Sequence, residues 1–135
     1  KACDIVREKY PNSTVIAYPD YTSGNKSTAS VMGVENDIQI MESQGFIVEL
    51  PFKRNPKTAV RIEAVQQRFR RNKLFVHARC QKLRTSLTQT VYKPNTRDIK
   101  KSNKPEVIAE HPSDALGYLV VGYDHCGGFR SFDVY

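Results

Sequence analysis

Thr14-Val15-Ile16-Ala17-Tyr18 is the stretch that most narrows what this chain can become. It is short, nearly continuous in apolar character and rich in β-branched residues. Pro19 closes it. Such a run predicts a strand buried on both faces of a parallel sheet, since a strand with one wet face would alternate. Two similar runs follow, Phe46 to Leu50 and Leu74 to Ala78. Between the first two, Val34 to Gln44 sets Val34, Ile38 and Met41 at helical spacing and stops at Gly45. Between the last two, Lys57 to Arg71 is a predicted helix. Its core stripe is expected among Val60, Ile62, Val65 and Phe69, with Arg61, Arg68 and Arg71 on the opposite, solvent-facing side. Strands alternating with helices predict an α/β fold built from parallel crossover units.

The remaining segments extend this pattern. Ala2 to Lys9 is expected to be a helix stopped by Tyr10-Pro11-Asn12, and Cys80 to Thr90 a short basic helix with Leu83 and Leu87 inward. Pro112 suits the first turn of a last helix running to Tyr123, because its missing N–H costs nothing there. Tyr21 to Ser30 is a polar loop. Its Gly24-Asn25-Lys26-Ser27-Thr28 lacks the adjacent Gly-Lys and the earlier Gly of a phosphate-binding loop. Tyr92 to Ala109 is polar and basic, a hairpin or an excursion over a site, and Gly127-Gly128 releases a tail.

At 135 residues and 39% hydrophobic content the chain suits one globular domain. Lys1 stands where Met would open a complete protein, so a longer parent is expected. No apolar run approaches the roughly 18 residues a membrane helix needs, and no signal peptide opens the chain. Cys3, Cys80 and Cys126 are odd in number and widely spaced. They suit a reducing, cytoplasmic setting better than a disulfide framework, and His77-x-x-Cys80 and His125-Cys126 lack zinc-ligand spacing.

Charge is distributed unevenly. The net formal charge is +7, and most of the 21 Lys and Arg fall between residues 53 and 104, flanked by two net acidic ends. A basic middle suits a polyanion held by one region, while carboxylates elsewhere bind cations. Lys53, Arg54, Lys57, Lys100 and Lys101 are the candidate contacts to DNA phosphates.

Asp20 lies just past the carboxyl end of the first predicted strand, where ligands and catalytic groups gather in open α/β sheets. Asp114 is placed in the opening turn of the last helix, near its free N–H groups and the positive end of its dipole. Acids from a strand end and a helix start can share a divalent cation. Glu110, four residues before Asp114, can ligate directly or through water. His111 can relay a proton, order a water or hydrogen-bond a carboxylate, and it can equally serve only to cap the helix.

Four segments, in order, resemble the C-terminal nuclease domain of the large terminase subunit of tailed bacteriophages. These are Tyr18-Pro19-Asp20 with Ser23-Gly24-Asn25; Gly45-Phe46, then Asn55-Pro56 and a helix with Arg61 and Val65; Leu74 to Cys80 with Leu87 and Tyr92; and His111-x-x-Asp114-Ala115-x-Gly117-Tyr118. The resemblance spans roughly Val6 to Val121 and rests on the shared order of short motifs. It implies a ribonuclease H-like fold, a mixed sheet flanked by helices, with Asp20 and Asp114 matching the second and last metal-binding acids. The family's first acid sits on an earlier strand that these residues do not supply, since Asp4 falls in a helix. The chain alone is therefore expected to be nearly inactive and prone to self-associate through an unpaired strand edge.

The implied activity is metal-dependent endonucleolytic cutting of double-stranded, concatemeric viral DNA during genome packaging, in the cytoplasm of the bacterial host. Two Mg²⁺ or Mn²⁺ ions, roughly 3.5–4 Å apart, would activate water and absorb charge on phosphate oxygens. Carboxylates are the ligands such hard ions prefer. The implied partners are DNA, the terminase small subunit, the portal protein and an ATPase domain of the same parent chain. Two alternatives remain open: a DNA-binding or assembly module without catalysis, and another ribonuclease H-like nuclease such as a resolvase or transposase.

Overall fold

A computed structural model describes residues 2–21, 37–89 and 110–126. Lys100, Lys101, nearly all of the Tyr21 to Ser30 loop, the Tyr92 to Ala109 segment and the tail from residue 127 lie outside the described residues. The elements are α1 (Ala2–Lys9), β1 (Ile16–Ala17), α2 (Asp37–Ser43), β2 (Ile47–Val48), α3 (Thr58–Arg70), α4 (Gln81–Gln89) and α5 (Glu110–His125). The architecture is mixed α/β and mostly helical, with a small two-stranded parallel sheet. Among the described residues no helix is long and apolar enough to cross a membrane. The chain divides into two compact units, residues 1–55 and 56–135.

In the first unit β1 and β2 pair in parallel, with Ile16 opposite Ile47 and Ala17 opposite Val48. The Ile47 N–H donates to Val15 at 2.9 Å and the Glu49 N–H to Ala17 at 2.9 Å. Parallel pairing across a helical connection is as the alternation of runs predicted. The strands are shorter than predicted and are not buried on both faces: Ile16 and Ala17 are half-buried and Ile47 is exposed. Pro19 and Pro51, which have no N–H to donate, follow soon after each strand and discourage a longer ladder.

α2 ends in a paired-bond cap. The Gly45 N–H donates to Glu42 at 2.8 Å and the Phe46 N–H to Met41 at 3.1 Å. Gly45 has φ +75°, the left-handed geometry that favours glycine at this position. Arg7 of α1 then braces the cap. Its Nε donates to Gln44 O at 3.0 Å, Nη2 to Gly45 O at 2.6 Å and Nη1 to Ser13 O at 3.1 Å. The guanidinium lies 4.8 Å from the centroid of the Phe46 ring, which is buried. One cation thus satisfies three loop carbonyls and covers an aromatic face.

In the second unit α3 and α4 both pack on α5. Val65, Leu116 and Val120 form the buried centre, with Ala64, Phe69, Leu74, Leu83 and Leu87 packed around it. Leu83 and Leu87 face inward, as the helical spacing predicted. Full burial of such aliphatic side chains is worth about 1.5–3 kcal/mol each. α3 ends in the same cap as α2, with Asn72 at φ 52°, Asn72 N–H to Phe69 O at 3.0 Å and Lys73 N–H to Arg68 O at 2.9 Å. Asn tolerates this geometry better than most residues.

Two expectations fail in this unit. Leu74 to Ala78 is not a strand. Leu74 and Val76 are half-buried while Phe75 and His77 are exposed, an alternation typical of a strand, but no ladder forms among the described residues. Leu74 is drawn onto the helical core instead. The α3 stripe is also rotated: Val60 is exposed and Arg61 is buried. The reason is a carboxylate on α5 that neutralises the guanidinium.

Candidate functional site

Asp20 follows β1 in the first unit and is half-buried. The Asn55 side chain holds it: Nδ2 donates to Asp20 Oδ1 at 2.6 Å, while Asn55 Oδ1 accepts the Tyr21 N–H at 2.7 Å. One carboxamide therefore uses its donor and its acceptor on consecutive residues. Asn55 follows β2 through Pro51-Phe52-Lys53-Arg54, so it ties the segment leaving one strand to the segment leaving its parallel neighbour. The acid is thereby anchored beyond the carboxyl ends of both strands. Lys53 and Arg54 are exposed in the same connection. Asn55 was matched in the sequence only as part of a motif. Its signal is a carboxamide placed a short loop after the second strand.

Asp114 is the fifth residue of α5, because the helix begins at Glu110 and not at Pro112. It therefore lies in the second turn rather than the opening one. The dipole account of this acid gives way to an ion pair. Arg61 Nη2 donates to Asp114 Oδ1 at 3.0 Å, with side-chain exposures of 8% and 33%. Arg61 Nη1 donates to the Pro56 carbonyl at 2.6 Å, and the guanidinium lies 4.4 Å from the centroid of the Tyr118 ring. Nε is buried with no acceptor among the described residues.

Close helix approach makes this arrangement possible. A Cβ added at Gly117 would stand 2.9 Å from Arg61 Cβ and 3.4 Å from its Cδ. Gly117 thus lets the stem of Arg61 lie against the α5 backbone and reach Asp114, one turn away. Ser86 of α4, 1% exposed, fixes the other side of the same helix end by accepting the Ser113 N–H at 3.0 Å. A second pair, Arg68 with Asp124, joins the far ends of α3 and α5, and Arg68 lies 5.2 Å from the Tyr123 ring centroid. Arg61 and Arg68 are therefore occupied within the unit and are not part of an open basic face.

The other predicted residues fall as follows. His111 is exposed on the first turn of α5, and Glu110 opens that helix. Lys57 is exposed just before α3. Lys100 and Lys101 lie outside the described residues. Asp20 and Asp114 belong to different units, each with its own polar clamp. Carboxylate oxygens are the right donors for Mg²⁺ or Mn²⁺. Even so, among the described residues no three His, Cys, Asp or Glu side chains gather closely enough to hold a metal ion.

Fold and site together describe a mixed α/β protein that carries two individually clamped carboxylates. Compared with protein-family models, curated proteins and solved structures, the chain matches none.

Proposed function

We propose that this chain is a metal-dependent DNA endonuclease of the ribonuclease H-like class, resembling the nuclease domain of the phage large terminase subunit. Asp20 and Asp114 are its metal-ligating acids, assisted by Glu110 and His111, with Lys53, Arg54, Lys57, Lys100 and Lys101 meeting phosphates. The observation that carries this proposal is the Asn55 clamp, which fixes the Asp20 carboxylate past the carboxyl end of a parallel strand. A turn-forming Asp would have no need of a partner 35 residues away. When bound, the ions would supply activated water and charge neutralisation at the phosphate. The protein's part is to hold two carboxylates in place and present cations to the DNA backbone.

A second proposal draws on the Arg61 pair. A guanidinium that already neutralises Asp114 favours a DNA-binding or assembly module without catalysis. Supercoiled plasmid incubated with the chain and Mn²⁺ separates the two. Nicked and linear products that disappear in Asp20→Asn and in Asp114→Asn support the nuclease. Because these residues alone are expected to cut weakly, Mn²⁺ binding that is lost in both variants also supports the nuclease. Salt-sensitive DNA binding with neither cleavage nor Mn²⁺ binding supports the module, and equal cleavage by both variants contradicts the assignment of the acids.

A further inference from the structure

Phe75 is 80% exposed, the most exposed of the large apolar side chains among the described residues. It sits between α3 and α4, flanked by Leu74, which packs on the core, and by the half-buried Val76. Its sequence neighbours on the surface are Arg71, Lys73, His77 and Arg79, all exposed, and Lys82 and Arg84 follow on the exposed side of α4. Chain geometry keeps the first four within about 15 Å of Phe75. Between Arg70 and Gln89 there is no acidic residue at all. The cap at Asn72 and the turn closed by Cys80 N–H to His77 O at 2.9 Å hold both ends of the stretch, so the ring is displayed from a pinned backbone.

We infer that Phe75 and the cations around it form a binding surface for unpaired nucleotides, the ring stacking on a base while Lys73 and Arg79 contact the adjoining phosphates. An exposed ring amid positive charge suits this occupant for two reasons. Stacking needs one flat apolar face and a polyanion needs the cations, so both features are used. Insertion into a lipid surface needs several apolar side chains presented together, and here Leu74 packs on the core and Val76 is half-buried, which leaves Phe75 as the one large apolar side chain this stretch exposes. The inference does not rest on the nuclease proposal, because binding to a single strand requires neither metal nor cleavage.

The test is fluorescence anisotropy of a labelled oligothymidylate of about 12 nucleotides, a length within the span of single-strand binding sites. The full chain is titrated in EDTA, beside a duplex of equal length and vesicles rich in anionic lipid. Phe75→Ala should weaken single-strand binding by about 5- to 150-fold, the range for loss of one stacked base. Phe75→Trp should retain it, and the duplex should be affected far less. Lys73→Ala with Arg79→Ala should flatten the log–log salt dependence by about 0.7 per lost phosphate contact. The inference is overturned if Phe75→Ala binds the single strand as the parent does, or if it loses single strand and duplex equally. It is overturned too if Phe75→Ala loses only vesicle binding. Since the ring touches little of the core, circular dichroism should be unchanged in every Phe75 variant.

Discussion

Arg61 reaches from α3 to Asp114 on α5, Nη2 to Oδ1 at 3.0 Å, and does so with its guanidinium lying on Tyr118 and its stem against Gly117. A cation and an acid 53 residues apart thus set where the two helices cross. The pair is asymmetric: Arg61 is buried, while Asp114 keeps about a third of its side chain in water. Removing either partner therefore has different consequences.

Arg61→Ala deletes the ion pair, the bond to the Pro56 carbonyl and the cover over Tyr118, leaving a void beside Gly117. It should cost about 2–4 kcal/mol. Arg61→Met should cost clearly less, because an unbranched stem still fills the space and Asp114 can take up water. The already unsatisfied Nε is also removed. Urea titrations of both variants check the ordering. Equal losses would mean that charge pairing, not packing, governs this position.

Gly117→Ala sets two effects against each other. Alanine is favoured over glycine within a helix by about 1 kcal/mol. A Cβ at 2.9 Å from Arg61 Cβ, however, meets an atom fixed to the α3 backbone, and such overpacking typically costs about 1–3 kcal/mol. The steric term should win, lowering the thermal midpoint. A midpoint at or above that of the parent would show that the helices can move apart freely.

Asn55 should be as sensitive as a ligand although it is not one. Asn55→Ala removes two short hydrogen bonds and should destabilise the first unit by about 1–3 kcal/mol. Asn55→Asp keeps an acceptor for the Tyr21 N–H but places a second carboxylate where Nδ2 donates to Asp20. Like charges at such range repel, so Asp should be the more damaging of the two for stability. Denaturation of the two variants decides it.

Much of the helical frame could be derived from residue spacing. Leu83 and Leu87 face the core as a period of 3.6 requires, and the parallel β1–β2 pair follows from two apolar runs joined by a helix. The burial of Arg61 was missed because a guanidinium was counted as a surface group. Its position was nonetheless visible: Arg61, Val65 and Phe69 recur every four residues, along the stripe that packs on α5. What spacing alone lacks is the partner, since Asp114 and the permissive Gly117 lie more than 50 residues away. Leu74 to Ala78 misled for the complementary reason. Its alternation is real, but alternation only makes a strand where a neighbouring edge supplies hydrogen bonds.

Not every basic residue should matter to DNA. Arg7, Arg61 and Arg68 are committed to carbonyls, acids or rings within their units, whereas Lys53, Arg54 and Lys57 are exposed. Replacing Lys53 and Arg54 by Ala should reduce the steepness of the duplex salt dependence by about 0.9 per lost contact, with little change in sequence preference. Filter binding across a salt series measures this, and an unchanged slope would place that connection off the DNA path.

Mn²⁺ titration calorimetry on the parent, Asp20→Asn and Asp114→Asn tests the metal-dependent assignment most directly. Asparagine keeps an oxygen able to accept from Arg61 or Asn55, so both variants should fold as the parent does by circular dichroism. The account predicts that the parent binds Mn²⁺ and that each substitution abolishes or sharply weakens that binding. Unchanged Mn²⁺ binding in both folded variants would contradict it.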